Sequence, residues 1–177
     1  SLDDGRHWSP FQCNLPIVPI TDLAVKNGDL IVATQGRSFW MMDDLSPIHQ
    51  WTPELLDKEM QLLATRPTIR MRGGGSSSPG RTTGQNALAG VPIRFYAKDV
   101  PDEKMKTELQ LLDPSGDVIQ TFSTKPDADR KQKKLKVVAG VNELRWNMRY
   151  QGAETFEGMV LWGGGTGGPI AVPGVYQ

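Results

Sequence analysis

The chain has 177 residues, and its 20 lysines and arginines balance 20 aspartates and glutamates, so the formal net charge is zero. Apolar residues make up 38% and charged residues 23%, which excludes a polybasic nucleic-acid arm, an acidic tail and a disordered polyampholyte. No apolar run approaches the ~18 residues that span a membrane. The 19 glycines and 13 prolines exceed ordinary usage, which predicts many turns and an all-β protein.

The first segment of the chain is predicted to be a three-stranded meander. The turn signals Asn27-Gly28 and Gln35-Gly36-Arg37 separate strands predicted over 22–26, 30–34 and 38–42. The nearly continuous apolar run 30–34 is typical of a strand that is buried on both faces.

Residues 45–90 are predicted to form a packed connector. Ser46-Pro47 and Thr52-Pro53 each resemble a helix start, with a capping hydroxyl ahead of a proline, and 60–65 is predicted to be extended. The Gly/Ser-rich run 73–80 predicts a mobile loop, and no phosphate-binding signature follows it. The side chains expected to need burial are Trp51, Leu55, Leu62 and Leu63.

From Val91 onward, short strands alternate with turns. This spacing is typical of an immunoglobulin-like sandwich, which we expect to be incomplete at its C-terminal end. The lysine-rich stretch 125–134 is interpreted as the solvated flank of a hairpin. The predicted strands cover 91–97, 107–112, 118–123, 135–138 and 143–150, and the predicted turns cover 113–117 and 140–142.

The residues that most often carry chemistry are sparse. Cys13 is the single cysteine, so no intrachain disulfide can form, and we expect it to be a small buried apolar residue. His7 and His49 have no partner at metal-ligand spacing and no triad signature. We therefore predict no catalytic residue, no cofactor and no metal ligand.

The first eight residues fit the pattern S-x-D-x-G-x-x-W, with Ser1, Asp3, Gly5 and Trp8 at the fixed positions. Serine and aspartate oxygens can accept backbone N–H groups across a hairpin turn, and glycine supplies a positive φ. The tryptophan is expected to fold back as an apolar plug. We interpret the motif as structural, so Asp3→Ala should destabilise the turn by leaving backbone donors unpaired.

Residues 1–8 resemble an Asp-box, the turn motif of bacterial neuraminidase (BNR) repeats. The segments 15–25 and 29–45, above all D-L-I-V-A-T-Q-G-R-S-F-W from Asp29, resemble the closing blade of sortilin-type β-propellers in bacterial proteins labelled glycosyl-hydrolase-like. In that family a linker and an immunoglobulin-like domain follow, and Arg66-Pro67 and 156–176 resemble this continuation. The resemblance implies an all-β fold: a partial β-propeller blade over 1–44, a connector over 45–90, then an immunoglobulin-like β-sandwich over 91–177.

The resemblance also implies a secreted or periplasmic parent protein of sialidase-like or sortilin-like type, of which this chain is expected to be a C-terminal piece. A propeller needs about four to eight blades, and residues 1–44 supply about one. The expected partners are the upstream blades of the parent chain, and carbohydrate or another protein stays open. An isolated blade is expected to pair with the sandwich or with a second copy of itself. We expect no nucleic-acid partner and no membrane span. The piece is interpreted as a non-catalytic structural or interaction module, and whether the parent hydrolyses glycosides stays open.

Two alternatives are carried forward. In the first, the chain is a carbohydrate-binding module in which Trp162 or Tyr150 stacks on a sugar ring; otherwise Trp162 covers the end of the sandwich. In the second, Arg37 or Asp43 contributes to a glycosidase face completed by missing blades; otherwise Arg37 makes a structural salt bridge. Asp43 and Asp44 are adjacent on a strand and point to opposite faces, so they are not expected to flank one glycosidic bond. We expect Asp44 to help end the strand and Asp43 to cap the turn at Ser46-Pro47.

Overall fold

The computed structural model describes residues 1, 3–70, 88–127 and 131–177. Within these ranges the regular secondary structure is strand apart from two short helices, which confirms the all-β class. The predicted glycine-rich loop at 73–80, and residues 128–130 of the lysine-rich stretch, lie outside the described residues. No described helix has the length and apolar character needed to cross a membrane.

The predicted meander is confirmed. Strands β1 (Ile20–Lys26), β2 (Asp29–Thr34) and β3 (Phe39–Met42) form one antiparallel sheet in the order β1-β2-β3. Asn27 and Gly28, between β1 and β2, have φ of +54° and +77°. Two successive positive φ values are what a two-residue hairpin turn of type I′ requires.

Both faces of the meander carry apolar side chains that are exposed on its outer strands, whereas Val32 on the central strand is buried. Directly paired residues share a face and neighbours along a strand alternate, so Leu23 lies on one face with Val32 and Trp40. The other face carries Phe39. The exposed fractions are 61% for Leu23 and 65% for Val25 on the first face, and 76% for Phe39 and 61% for Met41 on the second.

The connector contains helices α1 (Ser46–His49) and α2 (Pro53–Leu56) and strand β4 (Met60–Leu62). The predicted cap at Thr52 is confirmed, because its hydroxyl accepts the backbone N–H of Leu55 at 3.3 Å. The predicted cap at Ser46 is wrong. Helix α1 already includes Ser46, and Leu45 at the capping position offers no side-chain acceptor.

The connector packs on a later part of the chain through a small apolar cluster. Leu55, Leu63 and Tyr96 are buried together, and Trp51 packs against them, its ring meeting that of Tyr96 edge-on at 5.9 Å. Leu62 was expected to be buried and is 58% exposed. It neighbours Leu63 in an extended segment, where successive side chains point to opposite sides.

Two further sheets make up the remainder. In one, β5 (Val91–Ala97) lies between β4 and β9 (Gly140–Trp146). In the other, β7 (Val118–Ser123) pairs antiparallel with β6 (Glu108–Leu112) and parallel with β8 (Lys133–Lys134).

Residues of both sheets share one hydrophobic core, as in a β-sandwich. Trp146 lies in this core and its ring packs on Tyr176 at 5.0 Å. At the far end of the chain, Gln177 exchanges two backbone hydrogen bonds with Leu112, of 2.6 and 3.0 Å. The buried core residues are Ile93, Phe95, Leu111, Ile119, Phe122, Leu135, Trp146 and Ala171.

Three predictions for this region are wrong. Residues 135–138 are not a strand, although Leu135 is buried in the core. Residues 140–142 were expected to be a turn, but Gly140 already pairs with Ala97 as the first residue of β9. Its φ of +97° shows that the glycine has turn geometry at the same point where strand pairing starts. The strand predicted to continue to residue 150 ends at Trp146, and Met148 follows with a φ of +56°.

Candidate functional site

The first turn of the chain is a hydrogen-bonded loop built on Ser1 and Asp3. The Ser1 hydroxyl accepts the Gly5 N–H at 2.7 Å and donates to Asp3 Oδ1 at 2.9 Å. Asp3 Oδ1 also accepts the His7 N–H at 2.9 Å. Trp8 Nε1 donates to the Gly5 carbonyl at 2.9 Å, and Gly5 has a φ of +87°. The four motif residues therefore act on one another within a single turn.

No side chain of this turn is arranged to act as an activated nucleophile. The backbone N–H of His7, and then its ring, lower the pKa of Asp3 below the ordinary value, so the carboxylate is ionised. The Ser1 hydroxyl donates to this carboxylate and not to an imidazole that would activate it. Trp8 folds over Gly5 but stays 79% exposed, so it covers the turn and closes no core.

Arg37 and Asp43, the two residues considered for a glycosidase face, lie at opposite ends of β3. Arg37 is exposed in the turn before the strand, where its carbonyl accepts Trp40 Nε1 at 3.0 Å. Asp43 is exposed just after the strand. The four residues of β3 that lie between them span about 13 Å of extended chain, so the two side chains start from different turns. Among the described residues Arg37 makes no salt bridge.

The turn after β3 is capped by Asp44 and not by Asp43. Asp44 Oδ1 accepts the Ser46 N–H at 3.1 Å, and Asp44 is buried with a φ of +63°. The assignment of the cap to Asp43 was wrong because this left-handed residue turns the Asp44 side chain, and not its neighbour, toward the helix.

Trp162 is fully exposed, at 100% of its surface, so it does not cover the end of the sandwich. It lies in a loop whose base is closed by a hydrogen bond from Ala153 N to Thr166 O of 2.9 Å. Tyr150, the other candidate for sugar stacking, is half-buried against the core. Burial and then a hydrogen bond with Tyr176 raise the pKa of Tyr150. Trp162 alone of the two presents a free ring face.

The described ranges form no metal site, and Cys13 is not buried. They contain no group of three or more His, Cys, Asp or Glu side chains that could hold a metal ion. Cys13 was expected to be buried and is exposed, in a turn with a φ of +47°.

A network of six charged side chains, alternately acidic and basic, links the meander to the sandwich. Arg66 Nη2 contacts Asp29 Oδ1 at 2.8 Å and Arg66 Nε lies 3.7 Å from Asp44 Oδ1. Asp44 Oδ2 pairs with Arg94 Nη1 of β5. Glu143 of β9 then joins Arg94 Nε at 2.7 Å and Arg145 Nε at 2.8 Å. In order, the members are Asp29, Arg66, Asp44, Arg94, Glu143 and Arg145.

The two side chains at the centre of this network are largely buried. The side chains of Asp44 and Arg94 are 6% and 13% exposed. Burial acts to raise the pKa of Asp44, but hydrogen bonding by Ser46 and Arg94 outweighs it, so the pKa lies below the ordinary value. Sequence reasoning missed this network because its members are far apart in the chain. One signal was present: Arg94 interrupts the otherwise uncharged strand V-P-I-R-F-Y-A.

Comparisons with protein-family models, with curated proteins and with solved structures found no match to this chain.

Proposed function

We propose that this chain is a non-catalytic structural and interaction module of a secreted or periplasmic Asp-box protein. In this proposal the meander is the last blade of a glycosyl-hydrolase-like propeller of sialidase or sortilin type, and the sandwich is its immunoglobulin-like follower. The observation that carries the proposal is a sheet whose outer strands expose apolar side chains on both of its faces. In a propeller each blade packs between two others, so both of its faces need apolar side chains.

The exposed apolar side chains of the meander represent a large unrealised stabilisation. Burying a Leu, Val, Phe or Met side chain fully is worth about 1.5–3 kcal/mol. Leu23, Val25, Phe39 and Met41 are each more than half exposed, so covering them would contribute several kcal/mol. A sheet with this surface favours association with neighbouring strands over solvent.

The turn at residues 1–8 and the sandwich support the same reading. Ser1 accepts the Gly5 N–H and Asp3 accepts the His7 N–H, and these backbone contacts support the Asp-box resemblance. Two three-stranded sheets around one core are compatible with an incomplete immunoglobulin-like domain.

Sedimentation velocity on paired variants tests the proposed role of the two faces. One variant carries Leu23→Thr with Val25→Thr, and the other carries Phe39→Thr with Met41→Thr, because threonine keeps β propensity while removing apolar surface. We expect the unmodified chain to self-associate and each pair to weaken association. The control is Val118→Thr, an exposed valine of β7, which should change nothing. A concentration-independent monomer whose surface binds no apolar dye would contradict the proposal.

The absence of catalysis is tested with fluorogenic glycosides. The chain by itself should release no fluorophore. Turnover that Arg37→Ala abolishes would overturn the non-catalytic assignment and favour a glycosidase face.

A second candidate function is carbohydrate binding, and the observation that favours it is the complete exposure of Trp162. An exposed indole on a loop with a closed base can stack on a sugar ring. Calorimetric titration with neutral oligosaccharides should show binding that Trp162→Ala removes and that Trp8→Ala, at a second exposed tryptophan, leaves intact. Sugar affinity that survives Trp162→Ala would end this candidate.

A further inference from the structure

The meander contributes no residue to either hydrophobic cluster of the described chain. One cluster lies within the sandwich, and the other joins the connector to Tyr96. Polar contacts tie the meander to the remainder instead. Arg66 Nη1 donates to the Asn27 carbonyl at 2.6 Å, the Leu45 N–H donates to the Gly28 carbonyl at 2.7 Å, and Asp44 pairs with Arg94.

Asp44 has a single fixed orientation at this junction. Its N–H donates to Asp29 Oδ1 at 2.8 Å, its Oδ1 accepts the Ser46 N–H at 3.1 Å, and its Oδ2 meets Arg94. The three partners of Asp44 therefore come from three different segments of the chain: β2, α1 and β5.

Arg94 is fixed in the same way from the side of the sandwich. Its planar guanidinium meets Asp44 with Nη1 and Glu143 with Nε, at 2.7 Å for the latter. A rigid fork that holds two carboxylates fixes direction as well as distance. Because this inner pair is largely buried, dissolved salt screens it much less than a surface pair.

We propose that the alternating charges Asp29, Arg66, Asp44, Arg94, Glu143 and Arg145 form an electrostatic joint that holds the meander at one angle to the sandwich. Asp44 is its central positioning residue. If the meander and the sandwich shared an apolar core, changing the angle between them would require many side chains to repack. Here the angle depends on a few ion pairs. The angle at which the apolar meander is presented to a partner is therefore set by Asp44 and Arg94. This inference holds whether or not the meander belongs to a propeller.

The test is the distance distribution between two spin labels, one on each unit. Labels attach at Gln35→Cys in the meander turn and Ser115→Cys in the sandwich turn, both exposed positions, in a Cys13→Ser background. Pulsed electron resonance should give one narrow distance for the unmodified charges. Asp44→Asn and Arg94→Gln should each broaden the distribution.

The matched controls are Asp43→Asn, which neutralises the exposed neighbouring carboxylate, and Glu59→Gln, which removes a surface pair with Lys98 at 3.8 Å. Both should leave the distribution narrow. Hydrogen exchange on β2 and β5 checks that each unit stays folded. If Asp44→Asn unfolds the meander, the distance distribution of Arg94→Gln tests the joint, because this variant leaves every meander residue in place. A narrow, unshifted distance in Arg94→Gln would overturn the joint.

Discussion

Asp44→Asn removes the charge of the buried carboxylate while keeping most of its geometry. Asparagine is one of the few residues that tolerate a left-handed backbone, which Asp44 adopts at a φ of +63°. Its amide oxygen can still accept the Ser46 N–H. The substitution therefore separates the ion pairs that Asp44 makes with Arg94 and Arg66 from the capping role of the residue.

At neutral pH we expect Asp44→Asn to lower the free energy of unfolding by about 1.5–3 kcal/mol, the contribution of a hydrogen bond to a charged group. Breaking a buried ion pair by removing one partner costs about 3–5 kcal/mol when the other charge is left uncompensated. That range is not reached here, because Glu143 still contacts Arg94 at 2.7 Å.

The difference should also depend on pH. The folded pKa of Asp44 lies below its ordinary value of 3.8, because hydrogen bonding by Ser46 and Arg94 outweighs the effect of burial. A carboxyl whose pKa is lower in the folded state stabilises the fold above the unfolded pKa. That stabilisation is lost as pH falls through the folded pKa. The gap between the unmodified chain and Asp44→Asn should thus be full at neutral pH and close below pH 3.8.

Urea unfolding followed by tryptophan fluorescence at several pH values measures this gap. Asp43→Asn, which changes an exposed carboxylate one residue away, is the control and should leave the midpoint unchanged. A difference below ~0.5 kcal/mol, the size of an ordinary surface effect, or one that does not change with pH, would refute the importance of the Asp44–Arg94 pair.

Three further substitutions follow from backbone geometry, burial and the hydrogen bonds of the first turn; thermal or urea unfolding checks the first two, and amide exchange checks the third. Gly168→Ala should destabilise the sandwich by about 2 kcal/mol or more, because an added Cβ would lie 2.1 Å from a main-chain carbonyl oxygen; Gly163→Ala, with nothing within 4 Å, is its neutral control. Leu63→Ala should cost about 2–5 kcal/mol, since Leu63 is 3% exposed, whereas Leu62→Ala at a 58% exposed position should cost little; equal effects would contradict the packing. Asp3→Ala should increase amide exchange at the first turn, and unchanged exchange at His7 would contradict the hydrogen bonds described there.

Features that depend on local chemistry could be predicted from the sequence. Asn27-Gly28 tolerates the positive φ values of a tight hairpin, so the turn follows from residue type alone. The cap of α2 is also local, since the Thr52 hydroxyl accepts a backbone N–H only three residues ahead. The strands 91–97 and 118–123 begin and end as expected, because apolar residues fill them and turn residues flank them.

Features that depend on distant partners could not be predicted. Gly140 carries a turn signal and has the matching φ, but pairing with Ala97 makes it part of β9. Ser46 and Thr52 carry the same hydroxyl-proline signal, and only their surroundings decide which one caps a helix. Arg94 and Asp44 are 50 residues apart, so no local pattern indicates that they meet. The exposure of apolar side chains on the meander could not be predicted either, because it depends on what packs against the sheet.

Hydrogen exchange of the backbone amides in β2, compared with those in β5, tests most directly whether the meander requires neighbours on its two faces. We predict that β2 opens at a much lower free energy than β5 in dilute solution, and that its protection rises as protein concentration increases. Amides of β2 that are as strongly protected as those of β5 in a monomer at every concentration would contradict this claim.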